Sequence, residues 1–168
     1  MSGRTEYNYT QFKRLKVKMS KFIPILTGYL LCWNAAFGGD ITAGFSRNDA
    51  KNVVTDSVYK LMWQDGKDIF KGAYDEAVKY CENLNFAGYS DWRLPRVDEL
   101  ISITDKTKFS PAINSAFKNI ASGEFLCYQS STKYINDSSS AWVVDFVGGN
   151  DGWDSVFARS FVRCVRRY

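Results

Sequence analysis

Few residues in this chain could carry out chemistry, because its 168 residues include no histidine. Ser–His and Cys–His nucleophilic pairs and the common mixed zinc sites need an imidazole, so these classes of active site are excluded. A pair of carboxylates can still hydrolyse a glycosidic bond, but acidic residues occur on any protein surface. We therefore predict no catalytic residue, no metal site and no cofactor. The carboxylates considered are Asp91, Asp98, Glu99 and Asp145.

The densest group of charged and aromatic residues is the run Gly-Tyr-Ser-Asp-Trp-Arg-Leu-Pro at residues 88–95. Arg93 carries a planar guanidinium suited to bidentate contact with a carboxylate, and Asp91 and Glu99 are both candidate partners. An anionic ligand is the alternative partner. We favour a structural role, because apolar neighbours draw the run into a core. The predicted structural motif consists of Asp91, Trp92, Arg93, Pro95 and Glu99.

Ligand contact is predicted near Trp153, which lies in the polar run Asn-Asp-Gly-Trp-Asp at residues 150–154. This run is typical of a hairpin turn, and a calcium loop is the alternative, although EF-hand spacing is absent. Arginines also concentrate near the C-terminus. On a strand, Arg163 and Arg167 would share one face, which would either contact an anion or form a solvated edge that discourages strand pairing. The candidate ligand-binding residues are Trp153, Asp151, Arg159, Arg163 and Arg167.

Positive charge is concentrated at the start of the chain. Residues 1–38 contain six basic residues and one acidic residue, whereas the remainder contains 16 basic and 17 acidic residues. The near-neutral remainder argues against a nucleic-acid partner.

The same leader has the pattern of a signal peptide. A basic stretch ending at Lys21 precedes an apolar run at residues 22–33, and cleavage is expected after Ala36 or Gly38. Met19 is an alternative start. An uncleaved anchor is a further alternative, but the apolar run is shorter than the roughly 20 residues that span a bilayer. We predict a periplasmic, secreted or cell-surface domain with no stable membrane span after cleavage.

Cysteine usage follows from this compartment. Removal of the leader leaves three of the four cysteines, and one disulfide with one free thiol is the simplest arrangement. We favour Cys81 with Cys164, which would close a loop of more than 80 residues and stabilise the fold by about 4 kcal/mol in the chain-entropy model. Cys127 lies in an apolar run and is then a buried small side chain rather than a nucleophile.

A mixed fold must position these residues. Apolar residues spaced three and four apart from Ala73 to Leu84 predict a helix. Pro95 precedes a second helix over about 96–103, with Val97, Leu100 and Ile101 facing inward, and Ser110 with Pro111 starts a third short helix. Strands are predicted at 53–55, 61–64, 125–129, 142–147 and 161–166, the first two as a hairpin.

This order of elements predicts an α+β domain with two to three short helices and a small antiparallel sheet. The domain spans residues 53–168, preceded by a leader at 1–38 and a loose segment at 39–52.

Several of these motifs together resemble a known family. They include Leu-Met-Trp-Gln at 61–64, the run at 88–95, Trp-Val-Val-Asp-Phe at 142–146 and Val-Arg-Cys-Val-Arg at 162–166. The chain is similar to the Lcl C-terminal domain family, named for the globular end of a bacterial collagen-like adhesin. The resemblance implies an exported bacterial domain, a fold related to C-type lectins and formylglycine-generating enzymes, and a Cys81–Cys164 disulfide. Gln129 stands where the family usually has Trp.

The adhesin domain trimerises and binds sulfated polysaccharide, so the resemblance also implies a homo-oligomer and a polysaccharide partner. We expect an exported, non-catalytic module that binds a glycan or another cell-envelope component. An envelope enzyme acting on sugars, or on thiols through Cys127, is one alternative. A structural component of a cell-surface assembly is the other.

Overall fold

The computed structural model describes residues 44–168, and these residues form nine strands and two helices. The predicted leader at 1–38, the alternative start at Met19 and residues 39–43 lie outside the described residues. The elements are β1 (Phe45–Asn48), β2 (Val53–Asp56), β3 (Leu61–Gln64), β4 (Lys71–Gly72), α1 (Tyr74–Glu82), α2 (Val97–Ser102), β5 (Cys127–Lys133), β6 (Ser140–Asp145), β7 (Asn150–Ser155), β8 (Ser160–Phe161) and β9 (Val165–Arg167).

The first sheet has four antiparallel strands in the order β1-β2-β3-β9. Its centre is the predicted hairpin, in which Val54 pairs with Trp63 and Asp56 pairs with Leu61. All four residues of β3 are buried, including the polar Gln64, because the strand lies between β2 and β9 and is covered on both faces. The hairpin prediction is therefore confirmed, and the last strand of the chain closes the sheet against β3.

The second sheet has five strands in the order β4-β8-β5-β6-β7. Strand β5 pairs antiparallel with β6 and parallel with β8. The prediction of a hairpin turn at residues 150–154 is wrong, because these residues belong to strand β7, which pairs with β6 along its whole length. The turn comes earlier, at residues 146–149, and Gly149 adopts the positive φ of 72° that this reversal needs.

The predicted single strand at 161–166 is also wrong. Phe161 ends β8 in the second sheet, whereas Val165 begins β9 in the first sheet. The three residues between them are buried, and the Arg163 side chain turns inward to an acidic partner. Side chains alternate between two faces only within one continuous strand. Because the chain passes from one sheet to the other here, Arg163 and Arg167 do not share a face as predicted.

The two helices confirm the first two predicted helices. Helix α1 buries Ala77 and Cys81, and α2 buries Leu100. Ile101 is 37 % exposed, and Ile103 at the C-cap is buried instead. In both helices a glutamate in the first turn accepts a hydrogen bond from the N-cap backbone amide, as in a capping box.

The predicted third helix, from Ser110 to Phe117, is wrong. The backbone amides of Ser110 and Ala112 donate to the carbonyls of Val147 and Phe146 rather than within a helix. The Asn114 side chain accepts a hydrogen bond from the amide of Ala116, which is a local turn. These backbone amides therefore form long-range hydrogen bonds to the residues just after β6, and not the hydrogen bonds of a helix.

Two buried clusters hold the domain together. The larger contains Trp63, Leu100, Tyr128 and Phe146 between the sheets and α2, and the smaller surrounds the Cys81–Cys164 disulfide. The predicted disulfide is present and joins α1 to the segment before β9. The domain is α+β, as predicted, with two sheets rather than one. Within residues 44–168, no helix has the length and apolar character needed to cross a bilayer.

Candidate functional site

Three aromatic rings form a cluster at the outer end of the second sheet. Trp153 and Tyr134 stack face to face, with ring centroids 4.7 Å apart and an interplanar angle of 2°. Trp142 meets both of them edge-on, at 5.9 Å from Trp153 and 5.8 Å from Tyr134. We refer to Tyr134, Trp142 and Trp153 as the aromatic platform.

Strand register creates this platform. Trp142 on β6 lies directly opposite Trp153 on β7, so both rings project from the same face of the sheet. Tyr134 follows the end of β5, and its amide donates to the carbonyl of Ser140, where β6 begins. The connection between β5 and β6 therefore folds back over the strands and brings its tyrosine onto Trp153.

The connecting loop is held by its own polar residues. The Asp137 carboxylate accepts hydrogen bonds from the hydroxyls of Ser139 and Ser140. These hydroxyls and the amide of Ser139 hold the pKa of Asp137 below its usual range. Asn136 donates to the Tyr134 hydroxyl at 3.3 Å, so hydrogen-bonding groups surround the rings.

Trp153 is exposed, in contrast to the buried Trp63 and Trp92. Its relative exposure is 57 %, and the neighbouring Ile135 is also exposed. Asp151 and Ser155 lie on the same face of β7, two residues on either side of Trp153. Trp153 is therefore accessible, with Asp151 beside it. It lies on the edge strand β7 and not in the predicted turn.

The arginines predicted to bind a ligand do not join this platform. Arg163 is 3 % exposed and pairs with the fully buried carboxylate of Asp65, which also pairs with Arg47. The Arg163 guanidinium also lies 4.9 Å above the ring of Phe117. Burial removes Arg163 from any contact surface, which corrects its predicted role.

Arg159 and Arg167 lie elsewhere. Arg159 bonds to Glu76 and to the carbonyl of Lys71 near the start of α1. Arg167 lines an open cleft of about 460 Å³ beside α1 and α2, together with Arg93, Arg96 and Glu99. The five predicted ligand-binding residues therefore occupy separate places, and only Trp153 and Asp151 share a surface.

The predicted structural motif forms a junction between the helices and the first sheet. Arg93 makes a bidentate pair with Glu99 at 2.8 and 2.6 Å, so Glu99 rather than Asp91 is its partner. Asp91 instead pairs with Arg166, whose guanidinium stacks on Tyr89. Trp92 is buried and donates to the carbonyls of Phe86 and Tyr89.

Burial alone would raise the pKa of the Glu99 carboxyl. The hydrogen bonds from Arg93 and from the Arg96 amide outweigh this effect and hold the pKa below its usual range. Arg93 bridges β9 and α2, because its backbone exchanges hydrogen bonds with Val165 while its side chain holds Glu99.

Cys127 has no disulfide partner and is half-buried. Desolvation and the nearby carboxylates of Asp145 and Asp154 raise its pKa, which lowers its thiolate fraction. Across residues 44–168, no three or more cysteine, aspartate or glutamate side chains come together as metal ligands would. Asn150 and Asp151 belong to a regular strand, which does not have the form of a calcium loop.

Sequence reasoning missed Tyr134 and Trp142 as part of this surface. Trp142 alternates with the core residues Val144 and Phe146, and that pattern predicts a buried side chain. The alternation does not show that Trp142 lies opposite Trp153 of β7 and beside Tyr134, where it is only partly buried. The sequence around Tyr134 did not predict its place in the platform, because that place depends on how the β5–β6 connection folds back over the strands.

These features define an α+β domain in which one disulfide joins α1 to the last strands, with an Arg–Glu junction and an exposed aromatic platform. The model of the Lcl C-terminal domain family matches residues 52–166, so the chain belongs to this family. No protein with curated annotation matches the chain.

Proposed function

We propose that this domain is a non-catalytic module that binds carbohydrate through the aromatic platform. The observation that carries the proposal is the exposed ring of Trp153, held flat against Tyr134 on a regular strand. Contiguous apolar patches exposed on a folded domain mark contact surfaces, and Trp153 forms such a patch with Tyr134 and Trp142. Stacking fixes the orientation of the ring before any ligand arrives, which lowers the entropic cost of binding.

The chemistry of the platform suits a sugar. The face of an aromatic ring is electron-rich, and the C–H groups on one side of a pyranose are weakly positive, so the two surfaces attract. The hydroxyls at the sugar's rim need hydrogen-bond partners, and Asn136, Asp151 and Ser155 lie around Trp153. One ring and a few hydrogen bonds supply only about 4–5.5 kcal/mol of binding free energy, so we expect dissociation constants of about 0.1–1 mM.

Three further observations support a non-catalytic role. The carboxylates of Asp91, Asp98 and Glu99 are each paired with an arginine. Asp145 accepts hydrogen bonds from the backbone amides of Leu126 and Val147. Cys127 has a raised pKa, which weakens it as a nucleophile.

We further propose that the domain works outside the cytoplasm and that its fold is related to C-type lectins and formylglycine-generating enzymes. The disulfide supports an oxidising compartment. The family membership and the mixture of short helices with two small sheets support the fold relationship.

A glycan array followed by calorimetry tests the proposal. The folded protein should bind a subset of oligosaccharides, and Trp153→Ala should reduce the affinity at least tenfold. Phe125→Ala is the matched control, because Phe125 is also an exposed aromatic but lines a cleft with Cys127 on the other face of the sheet. Glycan binding that survives Trp153→Ala would refute the platform as the binding surface.

A further inference from the structure

The charges around the platform identify the class of glycan that it fits, if the proposed function is correct. Asp151 precedes Trp153 by two residues on the same face of β7, which places the carboxylate roughly 7 Å along the strand. Asp137 bonds to Ser140, and Ser140 lies opposite Ser155, two residues beyond Trp153. Negative charge therefore flanks Trp153 at both ends.

Lys133, the cation next to Tyr134 in the sequence, does not offset this charge. Lys133 pairs with Ala141, the neighbour of Trp142, and so points to the other face, where its ammonium lies 3.7 Å above the Tyr74 ring. Lys133 therefore contributes no ammonium between Trp153 and Asp151. The aliphatic stem of Lys106 packs beside Gly149, just before β7 begins.

Arginines elsewhere in residues 44–168 are also largely neutralised. Six of the seven form ion pairs with aspartate or glutamate, and only Arg167, in the cleft beside α1, has no such partner. Polyanion binding depends on uncompensated basic groups, as the binding of nucleic acids shows. A sulfated glycan would therefore meet carboxylates at the platform, while most of the arginines that could bind sulfate are engaged in ion pairs.

We propose that the platform recognises a glycan bearing free amino groups, with a pyranose stacked on Trp153 and an ammonium paired with the Asp151 carboxylate. A pyranose ring is of similar size to the spacing between Trp153 and Asp151, so one residue of the glycan can reach both. The ion pair between an ammonium and an exposed carboxylate contributes modestly to the binding free energy, and added salt weakens it. The flat, exposed indole favours a sugar over a basic peptide, because a pyranose presents a whole face of C–H groups.

Three tetrasaccharides compared by calorimetry at pH 6 and low salt test the proposal: fully deacetylated glucosamine tetramer, its N-acetylated form and a sulfated tetrasaccharide. We expect the deacetylated form to bind at least about threefold more tightly than the N-acetylated form, and the sulfated form to bind most weakly. Asp151→Asn should reduce the ratio between the first two to about one. Asp154→Asn is the matched control, since it removes the same charge from the opposite face of β7 and should leave the ratio unchanged.

The outcomes separate the two proposals. Equal or tighter binding of the N-acetylated or sulfated form would overturn the preference for amino groups, while loss of that binding in Trp153→Ala would leave the carbohydrate function standing. Absence of binding to all three, and to the wider array, would overturn both. Binding of an oligolysine peptide that matches the deacetylated tetramer and needs Trp153 would show a basic-peptide site and overturn the glycan assignment.

Discussion

Individual charged residues in this domain mainly hold the fold together. Asp65 is the clearest case, because its side chain is fully buried and contacts Arg47 from β1 and Arg163 from the segment before β9. It also accepts hydrogen bonds from the amides of Lys118 and Asn119. One carboxylate thus joins three distant parts of the chain, and its arginines are unavailable to a ligand.

Replacing Asp65 should therefore strongly destabilise the folded domain. Asp65→Ala leaves the buried Arg163 guanidinium without a counter-ion and leaves Arg47 with only the exposed Asp49, and we expect a loss of about 3–5 kcal/mol in the free energy of unfolding. Urea denaturation followed by tryptophan fluorescence measures this. The control is Asp49→Ala, which removes an exposed carboxylate from the same Arg47 and should have a much smaller effect. Equal effects of the two substitutions would contradict the assigned role of Asp65.

Glu99 should make stability depend on pH. Its pKa is lowered in the folded protein, so the stabilisation by Arg93 is present above the unfolded value of about 4.3 and is lost as the pH falls through the lower folded value. Glu99→Gln should destabilise the domain by about 1–3 kcal/mol at pH 7.

The difference between wild type and Glu99→Gln should shrink as the pH falls below about 4. Urea midpoints measured from pH 7 to pH 3 check this. A difference that stays constant over the whole range would show that charge on Glu99 is not involved.

At the scale of elements, the β6–β7 hairpin presents the candidate site. Its two strands pair over six residues, and its turn places Gly149 against Ala112 and Thr104. The outer strand carries two aspartates and a glycine, residues that discourage pairing with a further strand. The hairpin can therefore expose a tryptophan at a sheet edge without inviting aggregation.

The two glycines of this hairpin should respond differently to alanine. Gly149→Ala forces a side chain into a positive φ of 72° and should cost about 1–2 kcal/mol. Gly152→Ala places a methyl group in open space on a regular strand and should be neutral or slightly stabilising. Thermal denaturation of both variants tests this. A neutral Gly149→Ala would show that the turn tolerates another backbone conformation.

At the scale of the whole molecule, the disulfide joins parts of the chain that are 83 residues apart. It lies in the smaller cluster, where Trp92, Leu94 and Val162 surround it. The cross-link therefore reinforces the contact between α1 and the segment that passes from one sheet to the other.

Loss of this cross-link should lower stability substantially. Cys81→Ser with Cys164→Ser should reduce the free energy of unfolding by about 2–5 kcal/mol, because the unfolded chain regains freedom. Urea curves of the oxidised, reduced and doubly substituted protein measure the effect, and Cys127→Ser is the control with the disulfide intact. Coincident curves for the oxidised and reduced protein would contradict this expectation.

Much of the fold was predictable because it depends on local patterns. The three-and-four spacing from Ala73 predicted α1, and the apolar runs around Val54 and Trp63 predicted the β2–β3 hairpin. Residues 88–95 indicated the family. The platform was predictable only at Trp153 and Asp151, since Tyr134 and Trp142 reach it through the loop and the strand register.

The sequence by itself determined the family, the α+β class, the first two helices and the cysteine pair, since short-range periodicity and specific motifs encode these. Only the tertiary structure decided that Arg163 is buried, that residues 150–155 form a strand and that three aromatic rings share one surface. Arg163 meets Asp65 across 98 residues of chain, and Trp153 stacks on Tyr134 across two strands. Such contacts depend on which strands pair and where the core ends, and no local pattern of residue types contains that information.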